Sequence, residues 1–159
     1  MTTTAAAVTA TTRRPAALVA LIVVQLFQAV GALGGGAALV ASPRGGIIKV
    51  PLRDLNGSPF SDFLIPGIIL FVVLGVDPLV VAWALLRRPR SAALEAVNPF
   101  RHEYWGWTLS GAIGAGLVIW IAVEVLIIPF TFLQPFYAAV GIVIVLLTLA
   151  PSVRAFYRR

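Results

Sequence analysis

The sequence predicts an all-α protein: a four-helix transmembrane bundle running up, down, up and down, with both termini cytoplasmic. Three observations predict it. Of 159 residues, 60% are hydrophobic and only 11% charged, under half the charged share of an ordinary soluble domain. The apolar residues fall into four long runs, each close to the ~20 residues that a membrane helix requires. The basic residues crowd the ends of those runs on one side. Arg13, Arg14, Arg87, Arg88, Arg90, Arg101, Arg154, Arg158 and Arg159 make nine of the twelve, against Arg44, Lys49 and Arg53 opposite. Cytoplasmic loops carry the excess of Lys and Arg, which places both ends inside. The net charge of +6 therefore reports topology, and no nucleic-acid partner is expected.

Residues 1–14 are Thr- and Ala-rich and end in Arg13-Arg14; they read as a disordered cytoplasmic tail without periodic apolar pattern. The membrane domain is expected over 15–151. Its first helix covers about 16–41, too long for the ~7–15-residue apolar region of a cleaved signal. Gly31 and Gly35 form a GxxxG spacing, which lets helices approach closely, within the bundle or across a dimer seam; packing within the bundle is the preferred reading. Ser42 to Gly57 is a polar connection broken by prolines and glycines. Its Ile47, Ile48, Val50, Leu52 and Leu55 are too apolar for a solvated loop, so it should fold over the bundle end or lie in the headgroup layer.

The second helix is expected over about 61–86. Ser58-Pro59 reads as an N-cap with proline at the first helical position, with Ser61 and Asp62 in the first turns facing the positive end of the helix dipole. Pro66-Gly67 should bend or restart the helix. Arg87-Arg88-Pro89-Arg90 ends it, and Ser91 caps a short surface helix. Tyr104, Trp105 and Trp107 look like an aromatic belt at the membrane surface. The third helix spans about 105–128 and the fourth about 132–150, with Gln134-Pro135 as cap and first position. Residues 152–159 are expected as a basic cytoplasmic tail.

Asp77 is the first candidate for chemistry. Ten residues separate it from Arg87, about 15 Å by helix rise, which puts it near mid-membrane. A charge there costs at least ~2.5–3.5 kcal/mol. Pro78 follows directly and withholds an N–H from the carbonyl of Leu74. A protonated Asp77 bonded to Gln25 or Gln28, at similar depth on the first helix, is the simplest expectation; a proton or cation site is the functional one. Glu124 lies nineteen residues beyond Trp105, about 28 Å along its helix and close to the outer surface. With Arg53, Asp62 and Gln134 it makes a candidate outer-side site; its expected partner is Arg53 or Lys49 from the loop, or Gln134, in a structural tie between loop and bundle.

The chain has no cysteine and one histidine, His102. Thiol chemistry, bis-histidine haem and His-built zinc are thereby excluded, and no cofactor or metal site is expected. His102-Glu103 is read as a solvated or headgroup-facing pair. Ser58, Ser61 and Asp62 have no histidine on their side of the membrane to serve as base, so no enzyme is expected.

The segments Ser58-Pro-Phe-Ser-Asp-Phe-Leu-Ile-Pro-Gly67, Leu117-Val-Ile-Trp-Ile-Ala-Val-Glu124 and Leu133-Gln-Pro-Phe-Tyr137 together resemble a family of small, uncharacterised four-helix bacterial membrane proteins. The resemblance covers most of the chain and implies a bacterial plasma (inner) membrane location, but no activity; it departs at Asp77, where an apolar residue is expected. The expected function is non-enzymatic: a scaffold or accessory subunit that contacts membrane lipids and associates with itself or another membrane protein. The alternative is a small proton- or cation-coupled transporter or lipid-handling protein using Asp77 and Glu124.

Overall fold

The computed structural model describes residues 13–158; of the disordered tail expected over 1–14, residues 1–12 lie outside the described residues, and Arg14 is held by a bond to Leu86 O at 3.1 Å. The elements are α1 (Ala16–Ala41), a 3₁₀ turn (Leu52–Leu55), α2 (Leu64–Phe71), a π segment (Val72–Val76), α3 (Asp77–Arg87), α4 (Ala92–Ala96), α5 (Trp105–Ile127), α6 (Leu133–Leu149) and α7 (Pro151–Tyr157). Among the described residues there is no strand, only an isolated antiparallel bridge between Glu103 and Arg158. Three helices are long and apolar enough to cross a membrane: Ala16–Ala41, Leu64–Arg87 and Trp105–Ile127. A fourth span is available if α6 and α7, bent by 58° at Ala150-Pro151, count as one.

The second span departs most from its expected form. Ser58 does not cap it: its Oγ accepts from the Phe60 N–H at 3.2 Å in a local turn, as Ser hydroxyls commonly do. The helix begins at Leu64, because Phe63 donates its N–H to Pro43 O at 2.8 Å and is buried under the loop. Phe63 is the N-cap residue, and Asp62, one residue outside it, takes up the first helical N–H, its Oδ1 accepting from Leu64 N at 2.9 Å. Pro66 neither bends nor restarts the helix. It occupies the first turn, where its missing N–H had no intrahelical partner.

Pro78 acts more visibly. The ring of a helical proline crowds the carbonyl four residues earlier; here the chain widens into a π turn just before it, with Asp77 N–H bonded to Val72 O. The span absorbs the proline by widening locally and continues from Leu64 to Arg87 as one 24-residue helix.

α1 is the central element, packing on α2, the π segment, α3 and α6, while α5 pairs mainly with α6. Both pairings rest on glycine. A Cβ on Gly36 would lie 2.6 Å from Phe71 N, and one on Gly114 would lie 2.9 Å from Gly141 O. Such small residues let helix backbones meet where lipid supplies no hydrophobic drive. The GxxxG pair is used the same way: Gly31 faces Tyr137 and Gly35 faces Leu70, so the seam is internal to the bundle.

Three apolar clusters follow from this packing. The first holds Leu18, Leu21, Leu85, Trp105, Ile144 and Val153; the second Ala32, Leu74, Leu117 and Ile121; the third Leu39, Leu55 and Phe63. The last is the loop folded over the bundle end, as its composition requires, although Ile47, Ile48 and Leu52 stay exposed. Of the basic tail expected over 152–159, residues 152–158 are not free, and Arg159 lies outside the described residues. Pro151 opens α7, which buries Val153 and Tyr157 against the bundle.

Candidate functional site

Polar side chains collect in three places. Inside the bundle, Gln25 donates through Nε2 to Ser110 Oγ at 2.5 Å, and Ser110 and Thr148 share a hydroxyl contact of 2.9 Å. Thr148 Oγ1 in turn donates to Ile144 O at 2.8 Å, and Trp107 Nε1 donates to Thr148 O at 2.7 Å. This chain ties α1 to α5 and α6. In a lipid-embedded interior such side chains have no water to turn to, so they pair with each other and with helix carbonyls. Gln25 and Gln28 are both buried, and the Oε1 of each has no hydrogen-bond partner among the described residues.

The arginine-rich end carries the second collection. Helix ends leave their last carbonyls unpaired, and the last turn of α3 is supplied with donors from across the molecule. Tyr104 Oη reaches Ala84 O at 3.3 Å and Pro89 O at 3.2 Å, Tyr157 Oη donates to Leu85 O at 2.6 Å, and Arg14 to Leu86 O at 3.1 Å. Trp105 Nε1 donates to Pro89 O at 3.2 Å. Arg88, left-handed at φ 51°, stacks on the rings of Phe156 and Tyr157 and donates to Phe156 O at 2.8 Å. Tyr104, Trp105 and Trp107 are therefore no lipid-facing belt. They are buried, and their polar tips close helix ends.

Beside this clamp, Glu103 is buried and accepts from Arg154 Nε at 2.9 Å. It is not a solvated partner of His102, which stays exposed. A cleft of about 600 Å³ opens here between Arg88, Arg90, Ser91, Glu95, Tyr157 and Arg158. Its walls are the clamp itself.

The third collection is the outer-side set, and the structure divides it. Glu124 is half-buried, with the side chains of Trp120 and Gln134 beside its carboxylate. Gln134 is fully buried; its Oε1 accepts from Thr131 N at 3.2 Å and its Nε2 reaches Pro129 O at 3.5 Å. Arg53 is exposed and lies 3.9 Å from its neighbour Asp54, so it does not tie the loop to Glu124. Asp62 takes up the first N–H of α2 and joins neither.

Asp77 stands apart from all three. It is exposed on the outside of the bundle, and no hydrogen bond or ion pair reaches it from any described residue. The expected bond to Gln25 or Gln28 is absent: Gln25 is bonded to Ser110 on α5, Gln28 is buried with its Oε1 unpartnered among the described residues, and Asp77 is exposed. Val73 and Val80, one turn to either side, are exposed as well.

Among the described residues no group of three His, Asp or Glu side chains converges as metal ligands. Ser110 and Thr148 could have been suspected from sequence, as hydroxyls inside apolar spans. The Glu103–Arg154 pair, 51 residues apart, has no local signal. No protein-family model matches the chain, and neither a curated protein nor a solved structure does.

Proposed function

We propose that this chain is a small multi-pass membrane protein, non-enzymatic, that works as a scaffold or accessory subunit of a membrane assembly. One observation carries the reading. Asp77 lies in the interior of an apolar span yet on the outside of the bundle, without a partner. Ionisable residues within membrane segments face a bundle interior or a wet cavity almost without exception, so this face is the inside of something larger. Coupled transport through Asp77 and Glu124 would need the two acids to share a path. Asp77 points outward and Glu124 is flanked by Trp120 and Gln134 near the opposite end of its own helix.

The assembly is read as lying in a bacterial plasma membrane, on the composition and on the resemblance of the three segments noted above. An alternating helix direction with both termini cytoplasmic is supported by the basic-residue bias. The first core cluster agrees with it, since Leu18 opens α1, Leu85 closes α3, Trp105 opens α5 and Val153 follows α6. A reporter fused after Arg159 is expected inside, and a tag in the Arg44–Gly57 loop outside. Protease cleavage of the C-terminus from outside intact cells would reverse the orientation.

The accessory reading is tested by placing a photo-reactive residue at Val73 or Val80, with Ile119 on α5, 64% exposed, as the control. In membranes of the source cell, the sites beside Asp77 are expected to give a discrete protein adduct and Ile119 to give lipid adducts. Lipid adducts at all three positions would end the proposal. So would a proton flux in proteoliposomes that disappears in Asp77→Asn, which would make the protein a transporter.

A further inference from the structure

We infer that the face carrying Asp77 is the docking surface for a transmembrane helix of a different protein, one that brings a lysine or arginine to the depth of Asp77. This rests on the accessory-subunit reading and names its partner by chemistry.

Asp77 is ten residues before Arg87 and thirteen after Leu64, about 15 Å and 20 Å from the two ends of its span. A carboxylate at that depth is stable only when neutralised, paired or hydrated. The exposed neighbours along the helix offer no charge: Val72, Val73 and Val80 are apolar, and Trp83, six residues on, brings only an indole N–H. Of the two buried amides at similar depth on α1, Gln25 is bonded to Ser110, and neither is bonded to Asp77.

A second copy of the chain does not meet the need. Between their ends, α1, α2–α3, α5 and α6 contain no Lys, Arg or His at all. A side-by-side dimer would therefore set Asp77 against apolar residues or against another Asp77, and like carboxylates at close range oppose each other's ionisation. The small-residue spacing suited to joining two copies, Gly31 and Gly35, is filled by Tyr137 and Leu70 of the same chain. A cation from a foreign helix satisfies Asp77 at once, and an opposite charge within a few ångströms favours the ionised form. Low-dielectric surroundings strengthen that attraction and make its loss costly.

The test uses the full chain, donor-labelled and reconstituted in phosphatidylcholine vesicles, with acceptor-labelled polyleucine transmembrane peptides as probes. One probe carries a single central lysine, a second leucine at that position, and a third aspartate. The lysine probe is expected to associate at least tenfold more strongly than the other two, and Asp77→Asn is expected to erase the preference. Asp77→Asn is nearly isosteric, and helical circular dichroism confirms that each protein tested is folded. Equal association of the lysine and leucine probes would overturn the inference, as would a lysine preference that survives Asp77→Asn. Energy transfer between copies without any probe, abolished by Asp77→Leu, would make a second copy the occupant and equally overturn it. Failure here with discrete adducts still forming at Val73 and Val80 removes only the cationic partner. Lipid adducts alone at those sites remove the accessory reading itself.

Discussion

Gly36→Ala is expected to destabilise the protein, while Gly34→Ala, two residues earlier on the same helix, leaves it unchanged or slightly more stable. The two glycines differ only in what they face. A methyl group on Gly36 would lie 2.6 Å from Phe71 N and 2.8 Å from Phe71 Cα, whereas one on Gly34 meets nothing within 4 Å. The obstacle at Gly36 is backbone, which cannot rotate aside as a side chain can. α1 and α2 must separate along their whole crossing, and overpacking of this kind costs ~1–3 kcal/mol or more. At Gly34 the added methyl lowers backbone freedom in the unfolded chain and favours the helix by ~0.5–1 kcal/mol. Thermal unfolding in detergent, followed by circular dichroism, distinguishes the two. Equal effects would mean that α1 and α2 do not cross at Gly36.

Arg154→Ala is expected to cost about 3 kcal/mol, the low end of the range for breaking a buried ion pair. Glu103 is 3% exposed and Arg154 is 55% exposed, so water already solvates the guanidinium and tempers the attraction. The cost falls mainly on Glu103. Its Oε2 is buried without a partner among the described residues, and removal of Arg154 strands the carboxylate entirely. Arg154 also sits 5.9 Å from the Trp107 ring centroid, and the same substitution removes that weaker cation–π attraction. Combining Arg154→Ala with Glu103→Gln should restore much of the stability, because the uncompensated charge is gone. Unfolding of the four proteins in one detergent completes the cycle. If Arg154→Ala is no worse than Arg158→Ala at the exposed neighbouring position, the ion pair contributes nothing and α7 is held by Val153 and Tyr157 alone.

The helices themselves were legible in the sequence. α1, α5 and α6 begin and end within a residue of the boundaries that composition implies, a margin within which assignments ordinarily differ. The reason is that a chain in lipid must satisfy every backbone group within its own segment, so run length and polar punctuation alone decide where a helix lies. Ser91 as the cap of α4 was legible for the same local reason, its Oγ accepting from Leu94 N at 3.4 Å. The start of the second span was not. Ser58-Pro59 has the local chemistry of a cap, but Phe63 is held by Pro43 and the loop cluster, and the helix waits for Asp62.

Sequence named Asp77, Gln25, Gln28, Glu124 and Gln134 as the polar residues to watch, because polar groups are conspicuous in apolar runs. Only the tertiary structure decided how they group. Sequence gives depth along a helix but not azimuth, and azimuth is set by where α1 crosses α2 and α3 and by the π turn before Pro78. Gln25 consequently turns to Ser110 while Asp77, at comparable depth, turns outward. The aromatic clamp and the Glu103–Arg154 pair lie beyond sequence for another reason: their partners are 15 to 72 residues apart. Run length and charge bias could determine that the chain is a bundle of membrane-length helices; which of its faces is left unsatisfied is a property of the packed bundle alone.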